Sequence, residues 1–146
     1  MNVIRRKQTG FTIVELLIVI VVIGILAAIT IVAYNGVQTR ARDTERTAEI
    51  KSVQTALEIY YIDNGFYPSV GTDNYGYALT TLAAALVPTY MNAIPTDSKP
   101  SPDPYYYVRG PAANNAYGIR VGYETKTDCH MGMNNAGTNW WGVQAC

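Results

Sequence analysis

Glu15 is the residue with the clearest chemical consequence, because it is the single charged side chain in an apolar run of 23 residues, 11–33. A carboxylate is costly in hydrocarbon, so acidic residues inside membrane spans face protein or water and have a partner. Glu15 lies at the fifth position of the run. Two interpretations stay open: its side chain extends to the membrane surface, or it neutralises a positive group.

Cys129 and Cys146 are the only cysteines, and both lie in the last 18 residues. An export or membrane signal implies an oxidising compartment, where such a pair forms a disulfide. The alternative is two free, buried thiols. A disulfide here would constrain the unfolded chain by ~3 kcal/mol and hold the C-terminal segment in place.

His130 is the only histidine and follows Asp128 and Cys129 directly. A metal site would need a further histidine or cysteine pair at ligand spacing, which the sequence lacks. We therefore predict that His130 is a solvent-exposed loop residue, and we expect no metal or other cofactor.

The apolar run predicts a helix that crosses a membrane. At the usual rise per residue it is about 34 Å long, against about 30 Å for the hydrocarbon core. Arg5, Arg6 and Lys7 precede it and favour a cytoplasmic N-terminus. A cleaved secretory signal is the rival interpretation, but its apolar region is shorter and residues 26–28 are a poor cleavage site. We expect a single-pass protein of the cytoplasmic (inner) membrane.

Beyond residue 36 the pattern changes without ending the helix. Residues 37–63 contain neither proline nor glycine, and apolar residues recur at three- and four-residue steps. Charged residues lie mostly off that apolar stripe, so we predict one helix over 11–63, amphipathic in its second half. Asn64 and Gly65 form a C-cap signal.

The remainder predicts a small α+β head over 65–146. We expect a loop over 66–77, a short helix over 78–87 that stops at a proline, and irregular chain over the proline-rich 95–104. Three β-like runs follow, at Tyr105–Arg109, 116–124 and 139–143. An antiparallel sheet of these strands would pack one face on the amphipathic half of the helix.

Tyrosines and tryptophans are concentrated in the predicted strands. Alternation between core and surface accounts for most of the twelve tyrosines, including Tyr105, Tyr106 and Tyr107. A ligand-stacking surface that includes Trp140 and Trp141 is the less favoured alternative.

Charge and motifs argue against two classes of function. Eleven basic residues balance eleven acidic ones, and without Arg5, Arg6 and Lys7 the remainder carries about −3, which gives no electrostatic footprint for nucleic acid. There is no phosphate-binding loop, nucleophile elbow, HExxH motif or N-x-[ST] sequon. We expect neither an enzyme nor a clear nucleic-acid site.

Residues 7–17, KQTGFTIVELL, resemble the start of the type IV pilin and type II secretion pseudopilin family. The similarity covers residues 5–31 and continues more weakly through 60–68. Val32 stands where many type IV pilins have a proline, whereas the family's Gly24 is retained. Cys129 and Cys146 resemble the ends of the family's disulfide-bounded C-terminal loop.

The resemblance implies a processed filament subunit. A membrane-bound prepilin peptidase would remove leader 1–10 by cutting between Gly10 and Phe11, and the new amino group of Phe11 would be methylated. Glu15 would then neutralise the Phe11 amino group of a neighbouring subunit, and pairing within one subunit is the alternative that stays open. Helix 11–33, having left the membrane, would form the core of an extracellular homo-oligomeric filament made with the pilus assembly machinery and other pilins.

We therefore expect a pilin, a structural subunit of a type IV-like pilus. The alternatives are a type II secretion pseudopilin, which shares the same N-terminal pattern, and a minor pilin at the tip that binds DNA or a surface. A membrane protein that is never processed would retain residues 1–10.

Overall fold

A computed structural model describes residues 10–97, 105–111, 115–133 and 146, without the side chains of 32 and 33. The chain divides into two compact units, with the boundary between Gln38 and Thr39. The first unit is helical, and the second contains the rest of the helix and a small antiparallel sheet. This α+β architecture is the predicted one.

Helix α1 spans Ile13–Asn64, 52 residues in all. It begins two residues later than predicted, because Thr12 caps its first turn. It ends where predicted. Gly65 follows with a positive φ of 78°, a conformation that glycine adopts without a steric penalty, and its N–H bonds to the carbonyl oxygen of Tyr61 at 2.7 Å.

The sheet has four described strands in chain order: β1 Tyr77–Ala78, β2 Tyr105–Arg109, β3 Tyr117–Val121 and β4 Cys129–Met131. All neighbours are antiparallel, with Tyr107 opposite Ile119 in the central pair. The predicted strand over 105–109 is confirmed, and the strand over 116–124 is confirmed in its central part. Strands β1 and β4 were not predicted, and the predicted strand at 139–143 lies outside the described residues.

The short helical segment predicted over 78–87 is present in two pieces. A 3-10 turn covers Leu79–Leu82, and α2 follows at Ala83–Leu86. The chain then becomes extended at Val87, before a cis peptide bond to Pro88. Strand β1 takes the last residue of the predicted loop, Tyr77, and the first residue of the predicted helix, Ala78.

The core of the second unit lies between α1 and the sheet. Ile50, Val53 and Leu57 are fully buried on one face of the helix, at three- and four-residue steps. They pack in one cluster with buried residues of the sheet and the 3-10 turn: Tyr107, Tyr117, Ile119, Val121, Leu79 and Leu82. Tyr105 and Tyr107 are buried whereas Tyr106 is half-buried, which confirms the predicted alternation.

Buried tyrosine hydroxyls connect the sheet to the helix. Tyr105 donates to Glu49 at 2.6 Å, and Tyr117 donates to Glu58 at 3.0 Å. Burial, followed by the adjacent carboxylates, raises the pKa of both tyrosines far above the ordinary value. Both hydroxyls therefore remain protonated donors.

Candidate functional site

The apolar part of α1 has no packing partner among the described residues of its own unit. Its large side chains, from Ile13 to Ile31, are about half exposed or more. This stretch is long and apolar enough to cross a membrane. In a folded protein a continuous apolar surface of this size requires lipid or other protein against it.

Thr12 and Glu15 form a capping box at the start of this helix. The backbone N–H of Glu15 donates to Oγ1 of Thr12 at 3.2 Å, and the backbone N–H of Thr12 donates to Oε2 of Glu15 at 2.8 Å. The Thr12 hydroxyl also donates to Oε2, at 2.8 Å. The carbonyl oxygen of Thr12 accepts the first bond of the helix, from Leu16 at 3.3 Å. Each residue thus satisfies a donor that the helix start leaves without a backbone partner.

This capping box was not anticipated, although the sequence contains its signal. Thr12-Ile13-Val14-Glu15 has the T-x-x-E spacing of a capping box directly before an apolar run. Glu15 therefore has a role within its own chain. Its carboxylate also lies in the first turn, where the helix dipole favours a negative charge.

Gly10 and Phe11 precede the helix and are exposed, with Phe11 83% accessible. A Cβ atom at position 10 would have no neighbouring atom within 4 Å. The same holds for Gly24 inside α1, where glycine costs about 0.5–1 kcal/mol relative to alanine. Among the described residues, nothing packs against these two positions.

In the second unit, charged side chains of α1 meet two loop carboxylates in buried and partly buried contacts. Arg46, only 4% exposed, contacts Asp43 at 3.0 Å, Asp97 at 2.7 Å and Glu124 at 3.0 Å. Arg42 binds both carboxylate oxygens of Glu124, each at 2.7 Å. We call Arg42, Asp43, Arg46, Asp97 and Glu124 the ionic cluster.

Asp43 and Arg46 are buried exceptions to the prediction that the helix charges lie mostly off the apolar stripe. Asp43 is 6% exposed and accepts from the backbone N–H groups of Glu124 and Thr125, at 2.9 Å each. Burial alone would raise its pKa, but the Thr125 hydroxyl, these N–H groups and the Arg46 charge outweigh it and lower the pKa. Because the Glu124 N–H is bonded to Asp43, β3 ends before the predicted residue 124.

Cys129 and Cys146 form the predicted disulfide. Cys129 lies in β4, and the backbone N–H of Cys146 donates to the carbonyl oxygen of His130 at 3.0 Å. The expectation for His130 is wrong: it is a strand residue, 4% exposed. The sequence offered no signal for this, because three residues are too few to show a strand periodicity. Trp140 and Trp141 lie outside the described residues.

Comparison with protein families matches residues 5–31 to the prokaryotic N-terminal methylation motif. The "Type II secretion system core protein G" of Escherichia coli is 31% identical over 142 residues, which are 92% of this chain and 92% of that protein. The protein of the same name from Pseudomonas aeruginosa is 40% identical over 65 residues, 44% of this chain and 46% of that protein.

Fimbrial proteins are similar to the same degree. "Fimbrial protein EcpC" of Eikenella corrodens is 30% identical over 138 residues, which cover 94% of this chain and 83% of that protein. No solved structure matches the chain.

Proposed function

The chain belongs to the type IV pilin and type II secretion pseudopilin family, and from that premise we propose that it is a structural subunit of an extracellular type IV-like pilus. The observation that carries this proposal is the long apolar stretch of α1, whose large side chains are exposed in the part of the chain that the structure describes and which begins just after the Gly10-Phe11 pair. Lipid covers such a surface in the precursor, and copies of the same helix cover it in the filament.

Leader removal is the first step of the proposed assembly. A prepilin peptidase cuts between Gly10 and Phe11 and thereby removes Arg5, Arg6 and Lys7, which hold this end at the cytoplasmic face. Glycine at position 10 supports a cut there, since a residue without a side chain lets an enzyme approach the backbone closely. The new amino group of Phe11 is then methylated.

Glu15 makes assembly dependent on cleavage. The cut creates a positive amino group at Phe11, close to a helix start that disfavours positive charge. The Glu15 carboxylate of a neighbouring subunit supplies the counter-ion. In the described contacts of a single chain, both bonds that Thr12 donates to the Glu15 carboxylate go to Oε2. The other oxygen, Oε1, is left to accept the amine.

Packing of the apolar helices completes the proposed filament. Gly24 permits the close approach of a second helix, because nothing lies within 4 Å of the position its Cβ would take. A contact between different faces of identical subunits repeats without closing, so it produces a helical fibre. The heads then face solvent.

A type II secretion pseudopilin is the second candidate. It is favoured by the Escherichia coli relative, which aligns over nearly the whole chain and is named as a component of that secretion system. The Cys129–Cys146 disulfide is the feature that favours the pilus.

The test is mass spectrometry of filaments sheared from the surface of the native host. We expect the subunit in that material to begin at Phe11 and to carry a methyl group. Recovery of the subunit only with residues 1–10 attached would refute processing and assembly together. Deletion of the gene separates the two candidates: loss of surface filaments with normal export indicates a pilus, whereas accumulation of exported enzymes in the periplasm indicates a secretion pseudopilus.

A further inference from the structure

Thr12 lies between the proposed cut site, the Gly10–Phe11 bond, and the first residue of the helix. Residues 10–12 have no regular secondary structure, and the first helical residue is Ile13. The Gly10–Phe11 peptide bond is therefore one residue outside the capping box. We propose that Thr12 is a positioning residue for leader removal, because its cap keeps the Gly10–Phe11 bond out of the helix. This inference rests on the proposed function.

The argument depends on where the backbone N–H of Thr12 is directed. If α1 continued towards the leader, that N–H would have to bond to the carbonyl oxygen of Gln8, four residues earlier. Instead it donates to Oε2 of Glu15 at 2.8 Å. The Thr12 hydroxyl meanwhile accepts the N–H of Glu15 at 3.2 Å. Both bonds are incompatible with one more upstream turn, so the capping box stops the helix at this residue.

The sequence offers another start upstream if this cap is lost. Thr9 is the next residue of a type that caps helices well. A helix that began after Thr9 would include Gly10 and Phe11 as its first two residues. The peptide bond to be cut would then be inside helical backbone. Thr12→Val favours a helix start at Thr9, because valine cannot cap a helix at position 12 but is accepted within one.

Helical backbone is a poor protease substrate, because the enzyme must wait for the local structure to open. When opening is fast, the cleavage rate follows the population of the open form. Replacing a capping threonine changes a helix-start equilibrium by about fivefold. We therefore expect Thr12→Val to slow cleavage by about that factor.

The experiment measures the initial rate of leader removal from the full-length chain in membranes that contain a prepilin peptidase. The variants are Thr12→Val, and Thr12→Ser and Thr12→Asn, which restore a cap with two different side chains. Thr30→Val is the matched control, since it removes the same hydroxyl from the helix interior, where it bonds to the carbonyl oxygen of Ala27. We expect slower cleavage of Thr12→Val alone.

Each outcome has a definite meaning. If Thr12→Val is cut as fast as the wild type, Thr12 does not position the bond. If Thr12→Asn is slow while Thr12→Ser is normal, the peptidase reads the hydroxyl itself and the capping explanation is wrong. If the wild type is not cut between Gly10 and Phe11, the proposed function fails first.

As a second readout, NMR of the Thr12→Val chain in micelles should show Cα shifts of Gly10 and Phe11 moving towards helical values; unchanged shifts contradict the inference.

Discussion

Thr125 donates both its hydroxyl and its backbone N–H to the same carboxylate oxygen of Asp43, at 2.6 and 2.9 Å. Asp43 lies on α1 and Thr125 lies in the loop after β3, so these bonds attach the loop to the helix. The carboxylate also contacts Arg46 at 3.0 Å, which makes it the junction between the loop and the ionic cluster.

Asp43→Ala should destabilise the second unit by about 1–3 kcal/mol, because it removes the acceptor of the Glu124 and Thr125 backbone N–H groups while Arg46 keeps Asp97 and Glu124. Thermal unfolding of the full chain in detergent micelles, followed by circular dichroism of the tyrosines, measures the change. Glu45→Ala is the control, since Glu45 is exposed on the same helix and its loss should change stability by less than about 0.5 kcal/mol. Equal effects of the two substitutions would show that burial of Asp43 is unimportant.

Acid should weaken the same attachment. The folded-state pKa of Asp43 lies below its ordinary value, so its ionised form is stabilised by folding. This contribution is complete above the unfolded-state pKa of about 3.9 and is lost as pH falls through the lower folded-state pKa. We expect the melting temperature of the wild type to decline more steeply below about pH 4 than that of Asp43→Asn. Parallel pH profiles of the two proteins would exclude Asp43 as the responsible group.

Glu15→Gln separates capping from charge. Glutamine can accept the same two bonds from Thr12 and is a normal residue of a capping box, but it has no charge to offer the Phe11 amino group. If the charge pair drives assembly, filament yield should fall by about tenfold or more in both Glu15→Gln and Glu15→Ala, while Glu15→Gln, which keeps the cap, loses its leader at the wild-type rate. Normal filaments from Glu15→Gln would assign Glu15 to the cap alone. Sheared-filament yield relative to total mature subunit is the measurement.

Gly132→Ala should destabilise the sheet. A Cβ atom at position 132 would lie 2.0 Å from the carbonyl oxygen of Tyr117 and 2.9 Å from Cα of Gly118, both backbone atoms that cannot move cheaply. Overpacking of this kind costs about 1–3 kcal/mol. Gly36→Ala is the matched control, because no atom lies within 4 Å of its Cβ position and alanine favours a helix by about 0.5–1 kcal/mol. Opposite changes in melting temperature are expected, and a stable Gly132→Ala would contradict the close approach.

Removing the disulfide should cost about 3 kcal/mol, because it releases a constraint between residues 17 positions apart on the unfolded chain. The double variant Cys129→Ser/Cys146→Ser tests this by thermal unfolding. Wild type treated with a reductant should unfold at the same temperature as the double variant. A reductant effect on the double variant itself would show that the measurement reports something other than this bond.

Local patterns were enough to predict the elements that depend on neighbouring residues. The helix was predicted because 11–33 are almost wholly apolar and 37–63 lack helix breakers, and the two central strands because 105–109 and 116–124 are β-like runs. The start of helix α1, which lies at Ile13, was predicted two residues too early. The T-x-x-E spacing that marks this start was overlooked. Strand β4 was missed because Cys129–Met131 carries no periodic signal of its own; it pairs with β3 at Val121, Arg120 and Ile119.

The sequence by itself determined the apolar helix, the Gly10-Phe11 pair and the capping spacing of Thr12 and Glu15, because each depends on residues adjacent along the chain. Only the tertiary structure decided which charges are buried. Asp43 and Arg46 have the same spacing as any exposed helical pair. What distinguishes them is their distant partners: Arg46 contacts Asp97, 51 residues away, and Asp43 contacts Thr125, 82 residues away. A charge is buried only where the fold brings such partners to it, and no local pattern records where a distant loop will pack.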